Sequence, residues 1–519
     1  MRNFRVVFII YLVIGLNSLL FAVSPFEKTV TFKAANEIDA LVLTSLESQK
    51  LTPATLCSDE VFIRRVYLDV LGTLPDGPEV RKFLENPRPD KRTTLITALL
   101  QSDDFANYWS LKWCDVLRVK AEFPINLWPN AVQAYHRWVH DAIAYNMPYD
   151  RFARELLTSS GSNFRMPQVN FYRAIQGQNA STIASAVALT FMGSRLENWP
   201  TDRRDQMAVF FTRVAYKSTA EWKEEIICLD PAPADTLNAV FPDGQKVQIA
   251  PTQDPREVFA DWLITAENPW FARTSVNRIW FWLMGRGIIH EPDDLRPDNP
   301  PVHPELLAYL EKELVRSGYD LKHIYKLILN SCIYQQSSIP TAEPSKAEKL
   351  FACYPVRQLD AEVLIDALCK ITGTTESYSS PIPEPFTFIP EENRSIELAD
   401  GSITSQFLEL FGRPSRDTGL LSERDTEPSA AQRRALLNST QIQDKLEGSA
   451  RLKGLVRVAR GNRPMLITSL YLNILSRFPT ETELAAIEDY FKTSKLNIQQ
   501  ASTDLAWVLI NSKEFLYRH

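Results

Sequence analysis

The sequence predicts a mainly α-helical protein, with multi-helix bundles forming two helical domains and a small β-hairpin element between them. Three observations carry this expectation. Helical periodicity dominates the chain, and capping residues, prolines and glycines punctuate it at short intervals. Between Glu224 and Ile249 alone the period changes towards that of strands. The stretch from Asp254 to Ser338 packs four consecutive helical patterns, which is the density of a bundle and not of a linker.

From the N-terminus, Arg2 and Arg5 precede an apolar run from Val6 to Phe21 and then the small residues Ala22 and Ser24. Residues 1–24 therefore read as an export signal, with an uncleaved membrane anchor as the alternative because the run approaches the length of a span. No other stretch is long and apolar enough to cross a bilayer, so membrane contact is expected only through this segment. The expected location is periplasmic, cell-surface or secreted.

The first helical domain is placed at 27–220 and is expected to be all helical. Ser58 caps a helix that buries Phe62, Val66 and Val70 and ends at Gly72 and Pro75. Pro78 and Asp90 open short helices, and the next runs from Asp103 to Val119 with Phe105, Trp109, Trp113 and Val116 inward. Tyr135, Trp138, Val139 and Ile143 mark another, followed by Tyr149 to Leu157, Asn179 to Met192 and Asp202 to Val214. The connector, 221–253, holds a strand at Glu225 to Leu229 and a hairpin in which LNAVF and KVQIA flank Pro242, Asp243 and Gly244.

The second helical domain, 254–519, opens with Asp254 as N-cap, Pro255 in the first turn and Glu257 closing a capping box. Val258, Phe259, Trp262 and Leu263 share its buried face. The next helix carries Val276, Ile279, Trp280 and Leu283 to a left-handed stop at Gly285 and Gly287, and an acidic, proline-rich loop follows. Pro304 opens the third helix, Gly318 ends it, and Asp320 caps the fourth. A helix from Leu359 to Ile371, a long loop at 373–402 and a helix from Ala430 to Leu446 complete the order. The ends of the chain echo each other: Tyr67, Leu68, Asp69, Leu71, Pro75, Glu79 and Val80 align on Tyr471, Leu472, Asn473, Leu475, Pro479, Glu483 and Leu484. An internal duplication is the preferred reading.

Several stretches, DPREVFADWL, NPWFAR, VNRIW, GRGII, HPELL and DLKHIYKLILNS in the centre, FIRRVYLDVLG before them and FGRPSRDT after, resemble a bacterial family abundant in planctomycetes. In it, domains of unknown function 1549 and 1553 occur together, often beside a cytochrome-c-like domain. The resemblance covers nearly all of the exported chain and implies an N-terminal domain of the first kind and a C-terminal one of the second. It also implies a CxxCH-type stretch after a helix like the one ending TFMGSRLENWP, but Ser194, Arg195, Leu196, Glu197, Asn198, Trp199 and Pro200 stand there, with neither cysteine nor histidine. Haem and zinc need thiolates or imidazoles, so that chemistry is not transferred. A second departure is Gly419 to Ser422, where many relatives carry a cysteine pair.

Composition is that of an ordinary globular protein, 45% hydrophobic and 23% charged. The formal charge of -6 falls to -8 without the two leader arginines, which argues against a nucleic-acid partner. Six cysteines form no CxxC pair; the even count permits disulfides, while Cys114 and Cys369 read as core-facing thiols. His136 and His140 lie one helical turn apart, but Arg137 stands where a metalloprotease needs a glutamate, so both are read as structural.

Two charged clusters remain as candidate ligand-binding sites. Arg273 and Asn277 face the acidic loop with Asp293, Asp294, Arg296 and Asp298. This set reads as a polar network pinning loop to bundle, with a carboxylate site for calcium or a polar ligand as the alternative; its spacing is not that of an EF-hand. No other cofactor is expected. Arg413, Arg416, Asp417, Glu423 and Arg424 form the second cluster, where arginine forks suit sulfate, carboxylate or sugar-acid groups or pair internally with the carboxylates.

The expected function is that of a non-catalytic binding or scaffold protein of the cell envelope, with an envelope protein or a glycan as partner. Its link to complex polysaccharide is only what the resemblance suggests. The alternative is an extracytoplasmic enzyme, hydrolytic or redox-linked, with its site between the 273–298 and 413–424 regions. An enzyme would bring the clusters into one pocket holding a carboxylate of perturbed pKa, whereas a scaffold would leave each internally paired and distant.

Overall fold

A computed structural model describes residues 25–28, 33–122, 127–231 and 235–519. The expected leader lies outside the described residues. The fold is mainly α, with sheets of two or three short strands. No described helix is long and apolar enough to cross a membrane.

Helix starts follow the local side chains. Ser58, Ser102, Asn179 and Asp320 each accept a backbone N–H of their first turn, covering donors that a helix cannot satisfy itself. Asp254 caps the Pro255–Leu263 helix through Arg256 N; Glu257 is exposed to solvent, and the expected capping box is not closed there. Of that helix's expected buried face, Phe259 and Leu263 are fully covered, while Val258 and Trp262 are half-buried. Stops follow glycine: Gly285 ends Phe271–Met284 at φ 72° and Gly373 ends Ala361–Thr372 at φ 68°.

The first helical region is not all helical. Val214–Ser218 and Gly161–Ser162 both pair antiparallel with Glu225–Leu229, which becomes the centre of a three-stranded sheet. Consequently the helix expected to reach Val214 ends at Ala208 and tightens into a 3-10 turn at Val209–Phe211. The helix from Asp103 stops at Val116, short of Val119. Glu37–Ser48 is an additional helix, capped by Asn36 and anchored by the fully buried Asp39, which accepts the N–H groups of Ala35 and Ile333. The single helix expected over 430–446 is two, Ala430–Asn438 and Thr440–Gly448, divided at Ser439. The expected hairpin forms from Leu237–Val240 and Lys246–Ile249.

The buried apolar residues of both halves join one core. Within it Trp109 packs on Tyr325 at 4.4 Å and lies 5.6 Å from Trp282, which also meets Trp113 at 5.3 Å. The chain ends cross this core: Arg64 donates to the carbonyls of Ile474 and Phe515, and Arg65 to those of Tyr334, Gln336 and His519. The short strand Arg357–Gln358 pairs with Tyr517–Arg518, setting Arg357 opposite Arg518.

The two echoing segments share local geometry. Leu71 and Leu475 end helices with nearly the same angles, Gly72 and Ser476 follow at φ 61° and 60°, and Asp76–Glu79 and Thr480–Glu483 both close capping boxes.

Candidate functional site

Two cavities concentrate polar chemistry, and they differ in kind. The first is an open cleft of about 700 Å³, within the range of about 300–1,000 Å³ typical of ligand sites. A line of aromatic rings leads into it. Phe210 stacks on Phe241 at 4.9 Å, Phe241 on Trp262 at 5.1 Å, Trp262 meets Trp270 at 5.8 Å and Trp270 meets Trp199 at 6.4 Å. The hairpin and the Pro255–Leu263 helix thus back the two tryptophans that line the cleft. Arg203 lies 4.3 Å above the Trp199 ring. Arg273 and Arg296 complete the basic lining, and the prolines of the acidic loop form its other wall.

The second cavity is a chamber of about 110 Å³ beside a buried ion network. Asp360, which precedes the Ala361–Thr372 helix, accepts from Lys112 at 2.9 Å, Arg518 at 3.0 Å and Tyr108 at 3.1 Å. Asp115 accepts from Arg416 at 2.8 Å and Arg424 at 2.7 Å. Arg424 also donates to Glu362 at 2.6 Å, while Arg413 lies 3.5 Å from the same carboxylate. Asp69 pairs with Arg357 at 2.9 Å, lies 3.5 Å from Arg518 and accepts the hydroxyls of Tyr334 and Tyr354.

Electrostatics follow from this packing. Burial alone would raise Asp360, but Lys112, Arg518 and Arg424 hold it well below the usual carboxylate range. Asp115 is likewise held low against burial by Arg424 and Arg416. Burial and then Arg424 push the Lys112 ammonium down to about 8, in spite of Asp360.

The sequence-derived residues divide between these places. Arg273 pairs with Glu311 at 2.7 Å and lines the cleft. Arg296 pairs with Asp294 at 3.0 Å and Asp298 at 3.5 Å; Arg296 and Asp298 line the cleft too. Asn277 is fully buried and exchanges hydrogen bonds with the backbone of Ile289, pinning the loop to its helix. Asp293 pairs with Arg278 at 2.9 Å and accepts the N–H of Leu421 at 2.6 Å. Asp417 pairs with Lys120, and Glu423 accepts the N–H groups of Asp417 and Thr418. Arg413, Arg416 and Arg424 belong to the buried network, where Arg424 alone of the three lines the chamber. The two clusters therefore touch at Asp293 and Leu421 but serve separate cavities.

Sequence reasoning missed Lys112, Asp115, Arg357, Asp360, Glu362 and Arg518. A signal existed for the first two: a lysine and an aspartate three residues apart within the apolar turn of Leu111, Trp113, Cys114 and Val116. Trp199 and Trp270 were visible as residues but not as a pair. His136 and His140 have ring centres 6.4 Å apart, and His140 bonds Asn107 and Asp141. All six cysteines are free; Cys114 is buried and Cys369 half-buried. No group of three His, Cys, Asp or Glu side chains placed to hold a metal occurs among the described residues.

Two family profiles match the chain. One described as "Protein of unknown function (DUF1549)" covers residues 37–210, and one described as "Protein of unknown function (DUF1553)" covers residues 255–491. No curated protein and no solved structure matches. The DUF1549 match includes Trp199 and Arg203, and the DUF1553 match includes Trp270, the acidic loop and the arginine-rich segment. With one profile on each side of the hairpin, the chain belongs to the family that pairs an N-terminal DUF1549 domain with a C-terminal DUF1553 domain.

Proposed function

We propose that this is a non-catalytic binding protein of the cell envelope that holds a stretch of acidic polysaccharide in the open cleft. The leader at 1–24 carries it out of the cytoplasm, and 27–220 and 254–519 act as two helical domains around the 221–253 connector. The carrying observation is the lining: Trp199 and Trp270 offer flat apolar faces, and Arg203, Arg273 and Arg296 stand among them in a chain of net negative charge. Sugar rings present apolar faces that suit tryptophan, and guanidinium forks suit carboxylate or sulfate substituents.

Binding is favoured over hydrolysis by the state of the carboxylates. Asp294 and Asp298 pair with Arg296, while Asp115 and Asp360 are held below the usual carboxylate range, which leaves neither Asp115 nor Asp360 poised as a general acid near neutral pH. The matching geometry at 71–80 and 475–484 supports duplication of a helix–turn–helix unit, in keeping with a modular scaffold.

A thermal-shift screen against sulfated, uronic-acid and neutral oligosaccharides tests the reading, because a ligand of the native state raises Tm by mass action. The expected result is a rise with acidic glycans that is lost in Trp270→Ala and reduced in Arg296→Gln. A rise that both variants retain in full, or none with any acidic glycan, rules the reading out.

A further inference from the structure

The ion network beside the small chamber does not balance its own charge. Six cations, Lys112, Arg357, Arg413, Arg416, Arg424 and Arg518, share four carboxylates, Asp69, Asp115, Asp360 and Glu362. At the chamber wall the imbalance is sharper, with Lys112, Arg357, Arg424 and Arg518 against Asp115 and Asp360. Net charge is costly in a buried site, because the desolvation of each unmatched cation is not repaid by a partner.

The backbone accentuates the excess. Arg357 and Arg518 are direct partners across the short ladder, an arrangement in which like charges repel unless an anion sits between them. Asp69 serves both, yet among the described residues Arg357 Nε and Arg518 Nε are buried donors without an acceptor, the latter 3.5 Å from Asp69 with no hydrogen bond. Gly285 closes one side at φ 72°, and a Cβ there would come within 3.1 Å of the Arg357 side chain. Burial first, and then the neighbouring Arg424 and Arg518, depress the Lys112 ammonium.

The space, about 110 Å³, admits one sulfate- or phosphate-sized oxyanion. We propose that the chamber lined by Lys112, Arg357, Arg424 and Arg518 binds one sulfate- or phosphate-sized oxyanion, free or as the charged substituent of a larger molecule. Its charge matches the two surplus cations at the chamber wall. This site is separate from the glycan cleft, and either can fail without the other.

Calorimetric titration of the whole protein with sodium sulfate and sodium phosphate, at ionic strength held constant with sodium chloride, tests the proposal. The expected result is saturable one-to-one binding of sulfate or phosphate, weakened at least about tenfold in Lys112→Met. Thr426→Glu, which puts a carboxylate at the half-exposed mouth and leaves the network intact, is expected to weaken it likewise while the circular dichroism spectrum is unchanged. A parallel titration with a sugar sulfate and a sugar phosphate separates the sources. Tighter binding than that of the free ion assigns the group to a larger molecule, and weaker binding assigns the free ion. Absence of saturable heat up to about 10 mM of either ion, or unchanged affinity in Thr426→Glu, overturns the proposal.

Discussion

Replacing Asp293 by alanine removes the carboxylate paired with Arg278 and strands a buried guanidinium. Both side chains are fully buried, at 1% and 0% exposure. Asp293 Oδ1 accepts from Arg278 at 2.9 and 3.2 Å, and its other oxygen accepts the N–H of Leu421. Breaking a buried pair on one side costs about 3–5 kcal/mol, and orphaning an N–H costs about 1–3 kcal/mol more. Arg278 keeps the carbonyls of Leu189 and Thr190, which recovers part of this, so about 4 kcal/mol is expected in total. The double variant Arg278→Met with Asp293→Leu removes both charges and is expected to recover all but about 1–2 kcal/mol. Urea denaturation followed by tryptophan fluorescence measures both, and amide exchange at Leu421 reports whether the 413–424 segment has come loose from the acidic loop. A loss below about 1 kcal/mol in the single variant, or equal losses in single and double, would show that the pair is not held as a buried, mutually dependent unit.

Three further outcomes rest on the same packing. Trp109→Ala removes a buried ring from the aromatic cluster and the hydrogen bond to Val70 O, and is expected to cost about 3–5 kcal/mol by urea denaturation. Gly72→Ala combines φ 61° with a Cβ placed 2.4 Å from the Tyr108 ring, so its loss should exceed the about 1 kcal/mol of left-handed strain alone, whereas alanine at the exposed Gly461 should show only that strain. Burial, then Arg416 and His140, hold His136 down to about 3; the stability it contributes is fully present above pH 6.5 and lost as pH falls towards 3. Between pH 6.5 and 4.5 the His136→Gln variant should therefore lose about 2 kcal/mol less than the parent, after allowance for partial exposure, and a parallel pair of curves would contradict this.

Much of the fold was legible because helix ends are local. Asn179, Ser102, Asp320 and Gly285 act through neighbours within four residues, so their roles can be read without the tertiary structure. Val214–Ser218 was not legible as a strand, since only its pairing with Glu225–Leu229 makes it one and its own residues do not alternate cleanly. The site was less legible for the same reason on a larger scale. Arg518 reaches Asp360 across 158 positions and Tyr108 across 410, and no spacing in the sequence announces such a meeting. Arg273, Arg296 and Arg424 were identifiable as clustered charges, but that the first two share a cleft with Trp199 and the third a chamber with Lys112 is a property of the assembled core.

Glycan binding in the open cleft can be seen or refuted in a crystal structure of the protein soaked with an acidic oligosaccharide. Density for sugar rings is expected against Trp199 and Trp270, with the acidic substituents within hydrogen-bonding distance of Arg203, Arg273 or Arg296. An oligosaccharide bound on another surface while the cleft stays vacant would contradict it.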